Sequence, residues 1–182
     1  MLRRSLDGRT GAAVAVVLRT AGSEPALLFI RRPRRGDDRW SGDLAFPGGL
    51  AKAGEDAVRT ARREAREELG LELGDPVGRL ADRITAHPRR LRPMRVRPIV
   101  FVAREAELAP DPREVAEAFW GPLSRLARLP VVPLARRIAG VPVIVRALDL
   151  DGRPLWGLTL AMVRELCREA CTPVVRARIM RA

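Results

Sequence analysis

Two apolar, β-branched runs near the start of the chain predict neighbouring strands. Residues 12–18 read AAVAVVL and residues 26–31 read ALLFIR, with the turn-forming stretch RTAGSEP between them. Runs of this length, bounded by turn residues, are typical of strands joined in a hairpin. A basic, glycine-containing loop follows and leads to the short run LAF before Pro47.

From Glu55 to Leu69 the spacing of apolar residues becomes helical, at about 100° per residue. The residues on the predicted packing side are Val58, Ala61, Ala65 and Leu69. Gly70 follows directly and is the expected end of the helix, because glycine readily adopts the left-handed conformation found there.

Beyond this helix the pattern alternates strands with short helices. Strands are predicted at residues 77–86, 96–103 and 141–152, the last of these ending in a turn. Residues 114–126 read as a strand that enters a short helix, and residues 156–170 as a closing amphipathic helix. This order of elements predicts an α/β sandwich with a mixed sheet.

The composition is that of a globular chain. Of its 182 residues, 47% are hydrophobic and 31% are charged, which is enough apolar material for a sizeable core. No apolar run approaches the roughly 20 residues that cross a bilayer, and the N-terminal stretch MLRRSLDGRTG lacks the apolar region of a secretory signal. With no repeat or low-complexity linker, the sequence predicts a single domain over residues 1–182 and a cytoplasmic location.

The net charge of +12 comes almost entirely from arginine, since Lys52 is the only lysine. The arginines are spread from Arg3 to Arg181 and are not gathered into one basic arm. We interpret this charge as a compositional background that also suits anionic small molecules. A nucleic-acid-binding face is the alternative.

Three glutamates on the predicted helix point to chemistry. Glu64, Glu67 and Glu68 are spaced i, i+3 and i+4, so their side chains project from one face and repel one another. They also lie toward the C-terminal half of the helix, where the helix dipole disfavours anions. The spacing alone fits two explanations: carboxylates that bind Mg²⁺ or Mn²⁺, or a solvated helix with salt bridges. In the second explanation, the salt bridges would be formed by the arginines that alternate with the glutamates, which are Arg62, Arg63 and Arg66.

Two glycines upstream of the helix favour the metal-binding explanation. Gly48 and Gly49 let the backbone turn tightly and approach a ligand, and a glycine carbonyl there would add an oxygen ligand beside the carboxylates. Such a loop and helix are suited to hold a metal-bound phosphate.

The stretch from Gly49 to Leu71 resembles the box motif of the Nudix hydrolase family. Gly49 is followed after five residues by Glu55, and after seven more by the run REAREELGL. Every fixed position is present: the glycine, the glutamate, the Arg-Glu pair, the Glu-Glu pair and the final glycine. The likeness extends over nearly the whole chain, and it implies a Nudix-type α/β/α sandwich with a mixed central sheet.

The resemblance implies a metal-dependent hydrolase of nucleoside diphosphates linked to another group. The residues that it assigns to Mg²⁺ or Mn²⁺ are Gly48 through its carbonyl, Glu64, Glu67 and Glu68. Arg63 would complete the catalytic group by pairing with Glu55, which fixes the loop against the helix. Water would attack phosphorus while a carboxylate takes the proton. The general base stays open between a box glutamate and one from a later loop, for which Glu114 and Glu117 are candidates.

The sequence around the box is similar to the coenzyme A diphosphatase branch of the family. Gly42 precedes the run FPGG at the spacing of that branch, although Phe29 replaces a threonine of the branch and Trp40 stands where a histidine is often found. Nearby arginines are suited to bind a pyrophosphate or a 3′-phosphate through bidentate bonds. The candidates for substrate binding are Arg31, Arg32, Arg39 and Gly49.

The sequence therefore predicts a pyrophosphohydrolase that cleaves the diphosphate of coenzyme A or a related nucleoside-diphosphate conjugate. One alternative is a housecleaning hydrolase of nucleotides or nucleotide sugars. Another is a Nudix-fold module that binds a ligand or nucleic acid without hydrolysis. The expected partner is a small-molecule nucleotide conjugate, and no association with a membrane is expected. The sequence is also compatible with a homodimer.

Overall fold

The computed structural model of the chain describes residues 11–21, 24–33, 42–86, 93–103, 107–138 and 140–170. The strands within these residues are β1 (Ala12–Arg19), β2 (Ala26–Arg31), β3 (Leu44–Ala45), β4 (Gly48–Leu50), β5 (Gly78–Arg79), β6 (Arg83–Ala86), β7 (Pro93–Ala103), β8 (Glu117–Pro122), β9 (Val131–Ile138), β10 (Val141–Asp149) and β11 (Pro154–Trp156). The helices are α1 (Ala57–Leu69), α2 (Leu123–Arg128) and α3 (Gly157–Ala170). No helix in the described part of the chain is long and apolar enough to cross a membrane.

Strand β1 lies inside a mixed sheet formed by β1 to β8. It pairs in parallel with β7 along its whole length, from Ala12 opposite Val96 to Arg19 opposite Ala103. It pairs antiparallel with β2 and with β4, and β2 in turn pairs with β3 and β8. The predicted hairpin of β1 and β2 and the predicted mixed sheet are confirmed.

Alternate residues of β1 enter two separate apolar layers, because successive side chains of a strand point to opposite faces. Ala13, Ala15 and Val17 pack with the apolar side of α1, while Val16 and Leu18 belong to the layer on the other face of the sheet. With helices on both sides, the fold is the α/β/α sandwich that the sequence implied.

The layer opposite α1 is closed by a second, three-stranded sheet and by α3. Strands β9, β10 and β11 pair antiparallel in the order β11-β10-β9. Leu148 of β10 and Leu155 of β11 are buried with Leu160 and Val163 of α3 in the same apolar cluster as Val16. This sheet and α3 lie beside the edge of the main sheet that carries β3. Thr159 of α3 contacts β3 directly, because its Oγ1 donates a hydrogen bond to the carbonyl of Leu44 at 3.2 Å.

The predicted helix is present with its predicted end. Asp56 caps its N-terminus by accepting a hydrogen bond from the Arg59 N–H at 2.8 Å, and Gly70 ends it at a φ of 65°. Of the predicted packing residues, Ala61, Ala65 and Leu69 are buried and Val58 is half-buried.

The prediction of one continuous strand over residues 77–86 was wrong. The structure has two short strands, β5 and β6, on either side of Leu80. The backbone N–H of Ala81 donates to Glu165 Oε1 of α3 at 2.8 Å instead of to a strand. The ladder with β7 is therefore interrupted at this point.

Candidate active site

The C-terminal half of α1 packs against the diglycine strand β4. The Gly48 N–H donates a hydrogen bond to Glu68 Oε2 at 2.9 Å. A Cβ on Gly49 would lie 2.5 Å from Glu64 Oε1, so this strand approaches the helix more closely than a side chain would permit. Gly48 is held equally closely on its other side, where a Cβ would lie 2.5 Å from the carbonyl oxygen of Ala13.

Arg63 connects the loop before the helix to the glutamates. Its Nε and Nη2 donate to Glu55 Oε1 and Oε2 at 2.8 and 3.0 Å, and Nη2 also donates to the carbonyl of Leu50 at 2.9 Å. Its Nη1 donates to Glu64 Oε1 at 2.7 Å and to Glu67 Oε2 at 2.8 Å. The hydrogen bonds from Arg63, supported by the Lys52 N–H, lower the pKa of Glu55 to about 2. The expected pairing of Arg63 with Glu55 is confirmed.

Glu64 and Glu68 are buried carboxylates close to one another. Burial raises the pKa of Glu68 to about 8, in spite of the hydrogen bond from Gly48, and the charges of Glu64 and Glu114 raise it further. Burial also raises the pKa of Glu64, against the hydrogen bond from Arg63. When both carboxylates are ionised, they repel each other in a poorly solvated environment, and this repulsion destabilises the folded state.

Of the interleaved arginines, only Arg63 donates to this pair, and it reaches Glu64 and not Glu68. Arg62 donates to the carbonyl of Gly74 and to Asp75, and Arg66 pairs with Glu72 at 3.5 Å, so both turn toward the segment after the helix. The salt-bridge explanation therefore accounts for the contacts of Glu67 and in part for those of Glu64. It does not account for the burial of Glu68.

The donor set fits a divalent cation, which prefers carboxylate oxygens. Two buried carboxylates of raised pKa face a glycine strand, and a cation would add positive charge that Arg63 provides to Glu64 alone. Both carboxylate oxygens of Glu67 accept hydrogen bonds, one from Lys52 Nζ at 3.1 Å and the other from Arg63 Nη1 at 2.8 Å. In this arrangement no three acidic, histidine or cysteine side chains of the described residues converge as a ligand group. Metal binding by Glu64, Glu67, Glu68 and the Gly48 carbonyl stays a prediction.

The two later glutamates are placed differently. Glu114 lies close enough to Glu64 and Glu68 for its charge to raise the pKa of both. Glu117 in β8 instead accepts from Arg153 and pairs with Arg31 Nε at 3.0 Å. Of the two candidates for an additional base, the structure therefore brings Glu114 and not Glu117 toward the box.

A cleft of about 660 Å³ opens beside the diglycine strand. Gly48, Gly49 and Arg32 line one part of it, and the Arg32 charge acts to lower the pKa of Glu68. The remaining wall is mostly apolar and includes Ile30, Phe46, Met94, Val96, Ile138, Trp156, Leu158 and Met162.

The sequence interpretation missed the distal wall of this cleft, which β9 and the start of α3 provide. Trp156 is half-buried in this wall, with the Arg136 guanidinium 5.5 Å from its ring centroid. Nothing in the local sequence marks this residue as a cleft residue. Of the candidate substrate-binding residues, Arg32 and Gly49 line the cleft, while Arg31 is paired with Glu117. Arg39 lies outside the described residues.

The sequence model of the NUDIX domain matches residues 9–139. The chain belongs to the Nudix family. The match contains the whole box, from Gly49 to Leu71, and strand β1, with which β4 pairs.

Curated Nudix relatives are similar over about two thirds of the chain. The mitochondrial coenzyme A diphosphatase NUDT8 of Homo sapiens is 37% identical over 133 residues, which are 68% of this chain and 56% of that protein. The peroxisomal coenzyme A diphosphatase ndx-8 of Caenorhabditis elegans is 30% identical over 143 residues, 68% of this chain and 57% of that protein. The chain thus spans just over half the length of these relatives. Their names place them in organelles, so a cytoplasmic location stays a prediction.

Solved Nudix structures share the fold at low sequence identity. The NUDIX domain of Shewanella oneidensis NrtR, solved with ADP ribose, superposes with a TM-score of 0.62 at 14% identity, covering 92% of this chain and 91% of that one. A NUDIX hydrolase from Alicyclobacillus acidocaldarius gives 0.58 at 19% identity, covering 96% and 97%. These superpositions cover a larger share of the chain than the matched domain does.

The two glycines of the Nudix box are expected to respond differently to a methyl group. In Gly49→Ala the new Cβ meets the tip of the Glu64 side chain, which can move, so we expect a loss of stability of about 1 kcal/mol or less. Displacing this carboxylate should lower kcat/KM by at least about tenfold, since misplacement by about 1 Å is this costly in active sites. Gly48→Ala meets the backbone of Ala13 and Val14, and it should lose about 2 kcal/mol or more.

Urea unfolding and steady-state kinetics on the two variants test this difference. Gly78→Ala is the matched control, because a Cβ at Gly78 of β5 meets nothing within 4 Å. Equal losses of stability in Gly48→Ala and Gly49→Ala would show that the Glu64 side chain cannot move aside. Full activity in Gly49→Ala would show that the close approach of β4 to α1 is not important for catalysis.

Proposed function

We propose that this protein is a metal-dependent pyrophosphohydrolase that cleaves the diphosphate of coenzyme A or a related nucleoside-diphosphate conjugate. The observation that carries the proposal is the pair of buried carboxylates, Glu64 and Glu68, facing Gly48 and Gly49 at the edge of a large cleft. The two curated relatives named as coenzyme A diphosphatases support this choice of substrate.

The residues of the Nudix box have two roles in this proposal, metal binding and the positioning of the metal ligands. Glu64, Glu67 and Glu68 would hold Mg²⁺ or Mn²⁺, with the Gly48 carbonyl as a further oxygen ligand. Arg63 fixes Glu64 and Glu67 and ties them to the loop that carries Glu55. When bound, divalent ions neutralise the charge of a diphosphate and lower the pKa of a coordinated water.

The chain itself orients the substrate and takes up a proton. The glycine backbone of β4 leaves room for the diphosphate to approach the carboxylates, and Arg32 offers a positive charge at the same end of the cleft. The proton released by the attacking water passes to a carboxylate of the group formed by Glu64, Glu68 and Glu114. The apolar part of the cleft then holds the group attached to the diphosphate.

A substrate panel tests the proposal. The purified protein is incubated with Mg²⁺ or Mn²⁺ and with coenzyme A, NADH, ADP-ribose or a nucleoside triphosphate, and the products are identified by mass spectrometry. We expect coenzyme A to give adenosine 3′,5′-bisphosphate and 4′-phosphopantetheine, with the highest kcat/KM of the panel. Chelation of the metal by EDTA should abolish the reaction.

The same panel separates the alternatives. A higher kcat/KM for a nucleoside triphosphate or a nucleotide sugar would indicate a housecleaning hydrolase. Absence of any phosphate ester product with either metal would contradict hydrolysis and favour a binding module. Sedimentation of the same preparation reports whether the protein is a homodimer.

A further inference from the structure

The charged residues of the cleft are few and lie in different parts of its wall. Among the described residues that line it, the charged ones are Arg32, Asp43 and Arg137. Asp43 pairs with Arg136 Nη2 at 3.3 Å and is largely buried. The one carboxylate among these lining residues is therefore paired with a neighbouring guanidinium and does not repel an anionic ligand as a free carboxylate would.

Arg32 and Arg137 come from separate sheets. Arg32 follows β2 of the main sheet, and its charge is felt by Glu68, so it lies at the box end of the cleft. Arg137 lies in β9 of the three-stranded sheet, next to the turn at Gly140. A ligand that extends from the box along the cleft would therefore meet the two guanidinium groups with different parts of its structure.

The Arg137 guanidinium is available to a ligand. Its Nη1 donates to the carbonyl of Gly140 at 3.2 Å, a neutral partner, and the residue is exposed. No described carboxylate pairs with the Arg137 guanidinium. The adjacent Arg136, by contrast, forms an ion pair with Asp43, and its guanidinium lies over the ring of Trp156. A guanidinium in this situation is suited to a phosphate monoester, which accepts two parallel hydrogen bonds from its planar fork.

We propose that Arg137 forms a second anion subsite, which recognises a peripheral phosphate monoester on the substrate, separate from the diphosphate that is cleaved. This inference rests on the proposed function and adds to it a basis for selecting among conjugates. A substrate with an additional phosphate uses Arg137, whereas one that carries only the diphosphate leaves it without a ligand. The apolar wall between the two arginines accommodates an uncharged part of the conjugate.

The test compares two substrates that differ only in the peripheral phosphate, coenzyme A and dephospho-coenzyme A, with wild type and Arg137→Gln. We expect Arg137→Gln to lower kcat/KM for coenzyme A by about tenfold to a hundredfold, mainly through KM, as for other hydrogen bonds to charged groups. The value for dephospho-coenzyme A should change by less than about twofold. Arg137→Lys should restore only part of the difference, because an ammonium lacks the bidentate fork.

Arg146→Gln is the matched control. Arg146 lies in β10 of the same sheet and is exposed, but it does not line the cleft, so the variant removes an equal charge nearby. Equal losses for both substrates in Arg137→Gln, or the same selective loss in Arg146→Gln, would overturn the inference and leave the proposed function standing.

A binding measurement keeps the two proposals distinguishable. If wild type hydrolyses neither substrate, the proposed function fails, and calorimetry with adenosine 3′,5′-bisphosphate and adenosine 5′-monophosphate decides the inference. Tighter binding of the bisphosphate that is lost in Arg137→Gln supports the subsite. Equal affinity of the two ligands for wild type contradicts it.

Discussion

Replacing Glu68 by glutamine (E68Q) is expected to lower kcat by at least about 100-fold, the cost of removing a central electrostatic group from an active site. The substitution keeps the shape of the side chain and an oxygen that accepts the Gly48 N–H, and it removes the charge that a divalent ion requires. Steady-state hydrolysis of coenzyme A at saturating Mn²⁺ measures the loss. A module that only binds its ligand should instead keep its affinity in E68Q.

The same substitution should stabilise the metal-free protein at neutral and alkaline pH. Because the pKa of Glu68 is raised to about 8 from its ordinary value of 4.5, the folded state keeps a proton that the unfolded chain releases above pH 4.5. The free energy of unfolding of wild type therefore falls as pH rises from about 4.5 to about 8, and it levels off above that. Glutamine has no such proton, so E68Q should exceed wild type by roughly 2 to 4 kcal/mol at pH 8 and by little at pH 5.

Urea unfolding in EDTA at pH 5 and pH 8 checks this expectation. Glu72→Gln is the control, since Glu72 follows the same helix and is exposed, and its removal should change stability by less than about 0.5 kcal/mol. A metal-free E68Q that is less stable than wild type at pH 8 would mean that Glu68 is satisfied without a cation. That result would contradict the metal site even if turnover fell.

The core of the site could be predicted from the sequence because it is local. Glu64, Glu67 and Glu68 lie within little more than one helical turn, so helix geometry alone places them on one face. Gly48, Gly49 and Glu55 are close in sequence, and a single loop brings them to the same helix. The spacing did not indicate which arginine forms an ion pair with which glutamate. Arg62 and Arg66 pair with acidic residues in the segment after the helix and not with the glutamates of the box.

The distal half of the cleft could not be predicted because its residues meet only through the fold. Residues 131–138 contain Pro133 and two arginines and lack the apolar alternation of a half-buried strand, so the pattern did not indicate β9. The strand forms because β10 pairs with it along eight residues, from Val131 opposite Leu148 to Ile138 opposite Val141. That pairing brings Arg137 to the cleft, from more than 80 residues after Gly49.

Replacing Arg63 by lysine (R63K) is expected to lower the free energy of unfolding by about 2 to 4 kcal/mol at pH 7, although the charge is kept. The guanidinium reaches Glu55, Leu50, Glu64 and Glu67 at the same time because its donors point in several fixed directions. An ammonium on a flexible stem cannot reproduce these contacts. Since Arg63 also aims Glu64 and Glu67, kcat should fall by at least about tenfold.

The pH dependence of the R63K deficit identifies its origin. Hydrogen bonds from Arg63 are the main reason that the pKa of Glu55 is lowered to about 2 from 4.5. The stability that Glu55 contributes is therefore present above pH 4.5 and is lost as pH falls toward 2. The difference between wild type and R63K in urea unfolding should be larger at pH 7 than at pH 3. Arg59→Lys, an exposed position one turn earlier, should be neutral, and an R63K deficit that is equal at both pH values would rule out the Glu55 pair as its source.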